Sequence, residues 1–457
     1  METATLDRER AVRRAAAIGL TVSFALIVAA LAIPRLTAWD VQVRWFPPLH
    51  AEWMPRLGPG TPAVLALAVL AVVLAPRIQN LPWRRLLLVV YVLGLAWMLG
   101  LATVDGLDGI GVILETQYEY LRTARAVTDF GETLRIYIDR IPLDSEDNWP
   151  VHIAGHPPGA LLFFVVLVRV GLGSGLAAGL VVTVIAASTA VAVLQTVRRL
   201  GAESLARRAA LFLTIGPAAI WMSVSGDAVF AAFAAWGMLA LAIAATSEGL
   251  LRQAASGLLA GMLLGYCVML SYGMPLLGVL AVTILFLARS WGPLPWAVAA
   301  ALAVVGAFAL AGYAWWEAFP VLQQRYWDGV ASRRPAAYWM WANLAAVSIS
   351  AGPWVGTAVG AAAATVLRRG PTSSPGRPDD GERIRRIVAW VALAGAAMCL
   401  FADLSQMSRA EVERIWLPFI PWMLIGTALL PPRWRRIGLG VQAGFAIVTQ
   451  HLLATGW

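Results

Sequence analysis

Runs of about twenty mostly apolar residues recur along the whole 457-residue chain, separated by short polar segments that carry most of its charge. A hydrocarbon core about 30 Å thick takes about 20 helical residues to cross. The pattern therefore predicts an all-α polytopic membrane protein; a transmembrane barrel would show alternating segments of about ten residues. Thirteen spans are expected, at 15–33, 62–75, 86–104, 176–197, 209–224, 228–245, 254–270, 275–287, 294–315, 343–367, 387–401, 415–430 and 437–454. Four arginines precede the first run, which is long and lacks a clear small-residue cleavage site, so it reads as an uncleaved span rather than a signal peptide.

One long passage breaks this pattern. Residues 105–159 hold ten of the chain's 26 acidic residues and end in His152-Ile-Ala-Gly-His156-Pro157-Pro158-Gly159. The passage mixes Tyr118, Tyr120, Leu121, Leu134, Ile136 and Tyr137 with its charges, so it is expected to fold. Tyr118, Leu121, Arg122 and Arg125 recur at three- and four-residue intervals, which predicts amphipathic helices within 115–140. The apolar stretch 159–170 is too short to span and reads as a re-entrant or interfacial helix. Three regions follow: 1–104 with three spans, an extracytoplasmic acidic loop over 105–175, and a remaining bundle over 176–457. The last carries outer loops at 317–341 and 403–414 and a Gly/Pro/Ser-rich cytoplasmic loop at 368–386.

Composition agrees with the membrane reading. Only 13% of residues are charged and the mean hydropathy is +0.72, whereas soluble proteins carry about 25% charged residues. The net charge is +9, supplied by arginine with no lysine. The arginines cluster at helix ends rather than on one face, so they report topology and not nucleic-acid binding. With the N-terminus cytoplasmic, 22 of the 35 arginines fall inside and 18 of the 26 acidic residues fall outside. This bias sets the acidic loop on the outer face of the membrane, which is expected to be a bacterial cytoplasmic membrane. Cys267 and Cys399 both lie in apolar runs and form neither a disulfide framework nor a zinc motif.

Candidate chemistry collects on the outer side. Asp105 and Asp108 leave the third span at the membrane surface, followed by Glu115 and Glu119; Asp40 follows the first span. His156 is directed by the two prolines behind it. Asp227 opens a span beside Ser225 and Gly226. Arg333 and Arg334 stand outside against the charge bias, near Tyr338. Glu411 and Arg414 sit three apart ahead of Leu417-Pro418. Each also has a structural reading, as a solvated turn, helix cap, lipid contact or i,i+3 ion pair.

The succession His156-Pro157-Pro158-Gly159, a short apolar helix, a span ending in Arg198-Arg199, then Pro217 and Ser225-Gly226-Asp227 resembles the GT-C superfamily of integral-membrane glycosyltransferases. The similarity is to the branch that uses polyprenyl-phosphate sugars, which includes protein O-mannosyltransferase-like and lipid A aminoarabinose transferases. It covers about 105–275 well and the rest loosely, with Glu411-x-x-Arg414 similar to a late outer motif. The resemblance implies a GT-C-like fold and inverting transfer of a sugar from a polyprenyl phosphate to a glycan, lipid or protein acceptor in the cell envelope. It implies a catalytic base among Asp105, Asp108 and Glu119, with Glu115 and Asp40 as further options. Donor or acceptor binding would fall to His156, Asp227, Arg333, Arg334, Tyr338, Glu411 and Arg414, in contact with membrane lipids. No metal ligand set is expected, although the acidic residues leave room for a divalent cation. The competing class is a transporter or flippase for a lipid-linked or anionic substrate, which would show inverted repeats and mid-membrane charges; a non-catalytic scaffold is the third reading.

Overall fold

A computed structural model describes residues 2–367, 372–374, 377–378 and 380–456. Among the described residues, seven helices are long and apolar enough to cross a membrane: Glu9–Thr37, Thr61–Ile78, Trp83–Asp105, Gly175–Arg199, Gly226–Ala245, Leu250–Leu270 and Asp380–Leu404. Two bent pairs raise the number to nine: Leu294–Leu310 with Trp315–Asp328, bent by 73°, and Ala336–Ser350 with Val355–Leu367, bent by 105°. The chain is thus an all-α polytopic protein, with only short two-stranded pairings among the described residues.

The remaining expected spans take other forms. The run 209–224 is broken into a 3-10 turn, Ala210–Leu213, and a short helix, Ala218–Met222. Gly216 and Pro217 intervene, and proline removes a helix hydrogen bond. The runs 275–287 and 415–430 become the shorter apolar helices Met274–Ala288 and Ile420–Leu429. The last expected span is a 21-residue helix, Pro432–Leu452, that buries the polar Gln442, Gln450 and His451. Seven residues of the expected cytoplasmic loop at 368–386 lie outside the described ones; 372–374 pairs with 377–378, and from Asp380 the chain already belongs to the helix running to Leu404.

The outer surface of the bundle is apolar. Leu36, Leu251, Leu310 and Leu367 are each more than four-fifths exposed, at 84%, 85%, 93% and 82%. Exposed apolar side chains of this kind suit a helix bundle that faces lipid. Between helices, small residues allow close approach. A Cβ at Gly19 would stand 2.0 Å from the Gly356 carbonyl oxygen, and one at Gly261 2.2 Å from that of Ala297. The first helix thereby docks on Val355–Leu367, and Leu250–Leu270 on Leu294–Leu310.

The acidic passage is folded, as expected, from short pieces. They include Asp108–Gly111, Tyr120–Ala126, Phe130–Arg135 and the 12-residue helix Pro158–Arg169. Twelve residues reach about 18 Å, too little to cross. Pro158–Arg169 packs on Tyr120–Ala126, with Tyr120 stacked on Phe164 at 5.0 Å between centroids. The Tyr137 hydroxyl donates to the carbonyls of Ile153 (2.9 Å) and His156 (3.1 Å), and the Trp149 indole donates to the Tyr137 carbonyl. Arg325, from the bent helix Trp315–Asp328, donates to the carbonyls of Ile141 and Trp149. Elsewhere, the strand Ala51–Trp53 pairs antiparallel with Leu453–Thr455.

Candidate active site

Six separate segments deliver charged or titratable side chains to one buried cluster. Glu119 immediately precedes the helix Tyr120–Ala126. His152 lies in a single helical turn opened by Pro150, and His156 follows it ahead of Pro157. Asp227 occupies the first turn of Gly226–Ala245. Arg334 follows the 3-10 turn Val330–Ser332. Glu411 and Arg414 flank the start of Val412–Ile415, and His50 comes from the loop ahead of Ala51–Trp53. Ala410 and Glu411 both adopt positive φ, 75° and 64°. Non-glycine residues pay on the order of 1 kcal/mol each for this region, so surrounding contacts hold the turn that aims Glu411 inward.

The contacts run continuously. Glu119 Oε1 lies 2.9 Å from His152 Nδ1, and His152 Nε2 lies 3.4 Å from Arg414 Nη2. Arg414 Nη1 donates to Asp227 Oδ2 at 2.5 Å, and its Nη2 meets Glu411 Oε2 at 3.4 Å. Glu411 Oε1 is 3.5 Å from Arg334 Nη2, which also meets His50 Nε2 at 2.8 Å. Glu119, His152, His156, Asp227, Arg334 and Arg414 are all buried. A guanidinium can only donate, so it assigns the tautomers. His152 accepts from Arg414 through Nε2 and donates from Nδ1–H to Glu119. His156 donates from Nδ1–H to the His152 carbonyl at 2.7 Å, which leaves its Nε2 as a bare acceptor.

Burial and charge then set the protonation states. Burial lowers the pKa of His156, and it lowers that of His50 against the pull of Glu411. Burial alone would raise Glu411, but Arg414 and Arg334 outweigh it and push the carboxyl down to about 2. Burial opposes the Arg414 charge, yet Asp227, Glu411 and Glu119 together raise its pKa. Burial raises the Tyr120 phenol well above its ordinary value, so it stays a neutral O–H donor.

Glu119 and Tyr120 each leave a polar atom over. Glu119 Oε2 and the Tyr120 hydroxyl are buried and have no hydrogen-bond partner among the described residues. An unsatisfied buried polar group costs about 1–3 kcal/mol. A ligand with both an acceptor and a donor would relieve both at once.

The other expected site residues lie elsewhere. Asp105 is held by Arg56 through both carboxylate oxygens, with an Nη2–Oδ2 distance of 2.9 Å, and by Gln450 Nε2 at 3.0 Å. Asp108 is exposed at the start of its turn, and Glu115 is clamped by Arg125 at 2.6 and 2.7 Å. Arg333 is exposed, while its neighbour Arg334 points into the cluster. Asp40 bonds Gln42. Tyr338 is fully buried against Trp39 and Trp339 and donates to the Ala30 carbonyl at 2.9 Å, fastening the first helix to Ala336–Ser350. His50 and Tyr120 were not singled out by sequence reasoning. Only the scarcity of histidine, four in the chain, marks His50, and Tyr120 looks like any core aromatic. Among the described residues, no group of three histidine, cysteine or acidic side chains is arranged to hold a metal ion. No protein-family model matches the chain, and no curated protein resembles it in sequence.

Proposed function

We propose that the protein is a membrane glycosyltransferase of GT-C type, inverting, which moves a sugar from a polyprenyl-phosphate donor to an acceptor hydroxyl. In this reading it lies in the cytoplasmic membrane with thirteen crossings, its N-terminus inside and the cluster facing out. The observation that carries it is Glu119: one carboxylate oxygen is fixed by His152, the other is buried and free, and two arginines share its cluster. Glu119 Oε2 takes the acceptor's hydroxyl proton as the acceptor oxygen bonds to the anomeric carbon. The bond from the anomeric carbon to the phosphate oxygen breaks, and its electron pair leaves with the phosphate. Arg334 and Arg414 provide positive charge for the leaving phosphate, for which a planar guanidinium is well shaped. His152 is a positioning residue, oriented by Arg414. The apolar bundle surface accommodates the prenyl chain.

The test is transfer from radiolabelled polyprenyl-phosphate sugars by purified protein in lipid nanodiscs. Glu119→Gln is expected to lose at least about 100-fold in rate, the range for a general base, while Asp108→Asn keeps most activity. Full activity in Glu119→Gln would remove Glu119 as the base. Absence of any retained prenyl lipid in native mass spectrometry, even after adding candidates back, would overturn the donor class.

A further inference from the structure

A second feature lies on the same two segments as Glu119 and His152. The folded acidic loop encloses an open groove of ≈ 560 Å³, within the usual range for ligand sites of about 300–1,000 Å³. Gln117, two positions before Glu119, and Pro150, two before His152, both line it. Its charged lining is balanced: Arg122 and Arg140 against Asp129 and Glu132. A site for a phosphate or an acidic polymer would carry excess positive charge, and one for a basic peptide excess negative charge.

The groove therefore suits a ligand that is polar, uncharged and able both to donate and to accept hydrogen bonds. Val127 and Ile136 add apolar surface between the polar groups. A saccharide has this alternation of hydroxyls and C–H faces. The Arg140 guanidinium carbon lies over the Trp149 ring, 3.7 Å from its centroid, and the group donates to the Asp147 carbonyl, so one charged wall is held in place before any ligand arrives. Asp129 is likewise fixed, since it caps Phe130–Arg135 by accepting from the N–H groups of Gly131 and Glu132.

We propose that this groove is the acceptor site and that it takes an uncharged oligosaccharide, whose terminal hydroxyl is presented to Glu119. The assignment of its role as an acceptor site rests on the glycosyltransferase reading; the ligand class rests on the groove alone. The experiment is ligand-detected NMR of nanodisc-embedded protein with maltotetraose and mannotetraose as neutral probes and tetragalacturonate as the anionic comparator. Arg122 and Thr128 are exposed, so Arg122→Ala and the groove-filling Thr128→Trp should both fold. At least one neutral tetrasaccharide should bind, the anionic one at least tenfold more weakly, and both variants should weaken binding at least fivefold. No binding by either neutral probe, preference for the anionic one, or binding unchanged in both variants would each overturn the inference. Transfer to a non-saccharide acceptor without saccharide binding would sink the groove and leave the glycosyltransferase reading standing. Saccharide binding lost in both variants, with no transfer from any polyprenyl-phosphate sugar, would do the reverse.

Discussion

Two polar clusters join distant parts of this chain, and they differ in what they leave unsatisfied. In the first, Asp105 has both oxygens engaged, by Arg56 and Gln450, and the pair is partly open to solvent. In the second, Glu119 is buried, uses one oxygen and leaves the other without a partner. A carboxylate whose hydrogen bonds are filled is a fastener. One held rigidly with a vacant lone pair is poised to take a proton. Position at the membrane surface does not separate these roles; the inventory of partners does.

The largest break in this comparison should come from Arg414→Ala. It strips Asp227 and Glu411 of their shared cation inside the protein, and removing one partner of a buried pair costs about 3–5 kcal/mol. Thermal unfolding in detergent should register it, and transfer should be lost with it. Next comes the contrast between neighbours. Arg334→Ala frees His50 and Glu411 from a charge-assisted contact and should cost about 1.5–3 kcal/mol, whereas the exposed Arg333→Ala should stay within about 0.5 kcal/mol of wild type.

Acid should act on the second cluster in two stages. His50 and His156 have folded pKa values below 6.5, so the unfolded chain binds their protons first. Their contribution to stability is complete above pH 6.5 and is lost as pH falls through the lower folded values. Glu411 follows: its contribution is present above about pH 4.5 and is lost as pH falls toward 2. Melting temperature against pH should show the first decline, and His156→Gln should reduce it. The smallest effect is Asp105→Asn. A partly exposed ion pair is worth about 0.2–1 kcal/mol, so stability should fall slightly and transfer hardly at all. A large loss of transfer in Asp105→Asn with stability intact would reverse the two roles.

Much of the architecture was legible because composition determines it. A 20-residue apolar helix such as Gly226–Ala245 has few alternatives. The folded loop and the short helix behind His156 were also anticipated by the order of polar segments. The breaks were harder to see. Gly216 and Pro217 divide one expected span, and the bends near residues 310–315 and 350–355 interrupt two others. Tertiary packing, rather than local pattern, decides whether such a run continues. The choice between Asp105 and Glu119 was beyond sequence spacing altogether. Glu119 meets a histidine 33 positions later, and Asp105 meets Arg56, 49 positions earlier. Adjacent Arg333 and Arg334 are chemically identical, and only the turn at Val330–Ser332 sends one inward.

The pairing of Ala51–Trp53 with Leu453–Thr455 joins residues about 400 positions apart. Such a contact has very high contact order and forms late, because a long loop must close before it is rewarded. His50 sits at the edge of that pairing and reaches Arg334 from it. During synthesis on the ribosome, the loop carrying His50 therefore waits for nearly every later helix before it can settle. The cluster's His50 wall is among the last parts to assemble, which keeps a half-inserted chain from presenting a finished site.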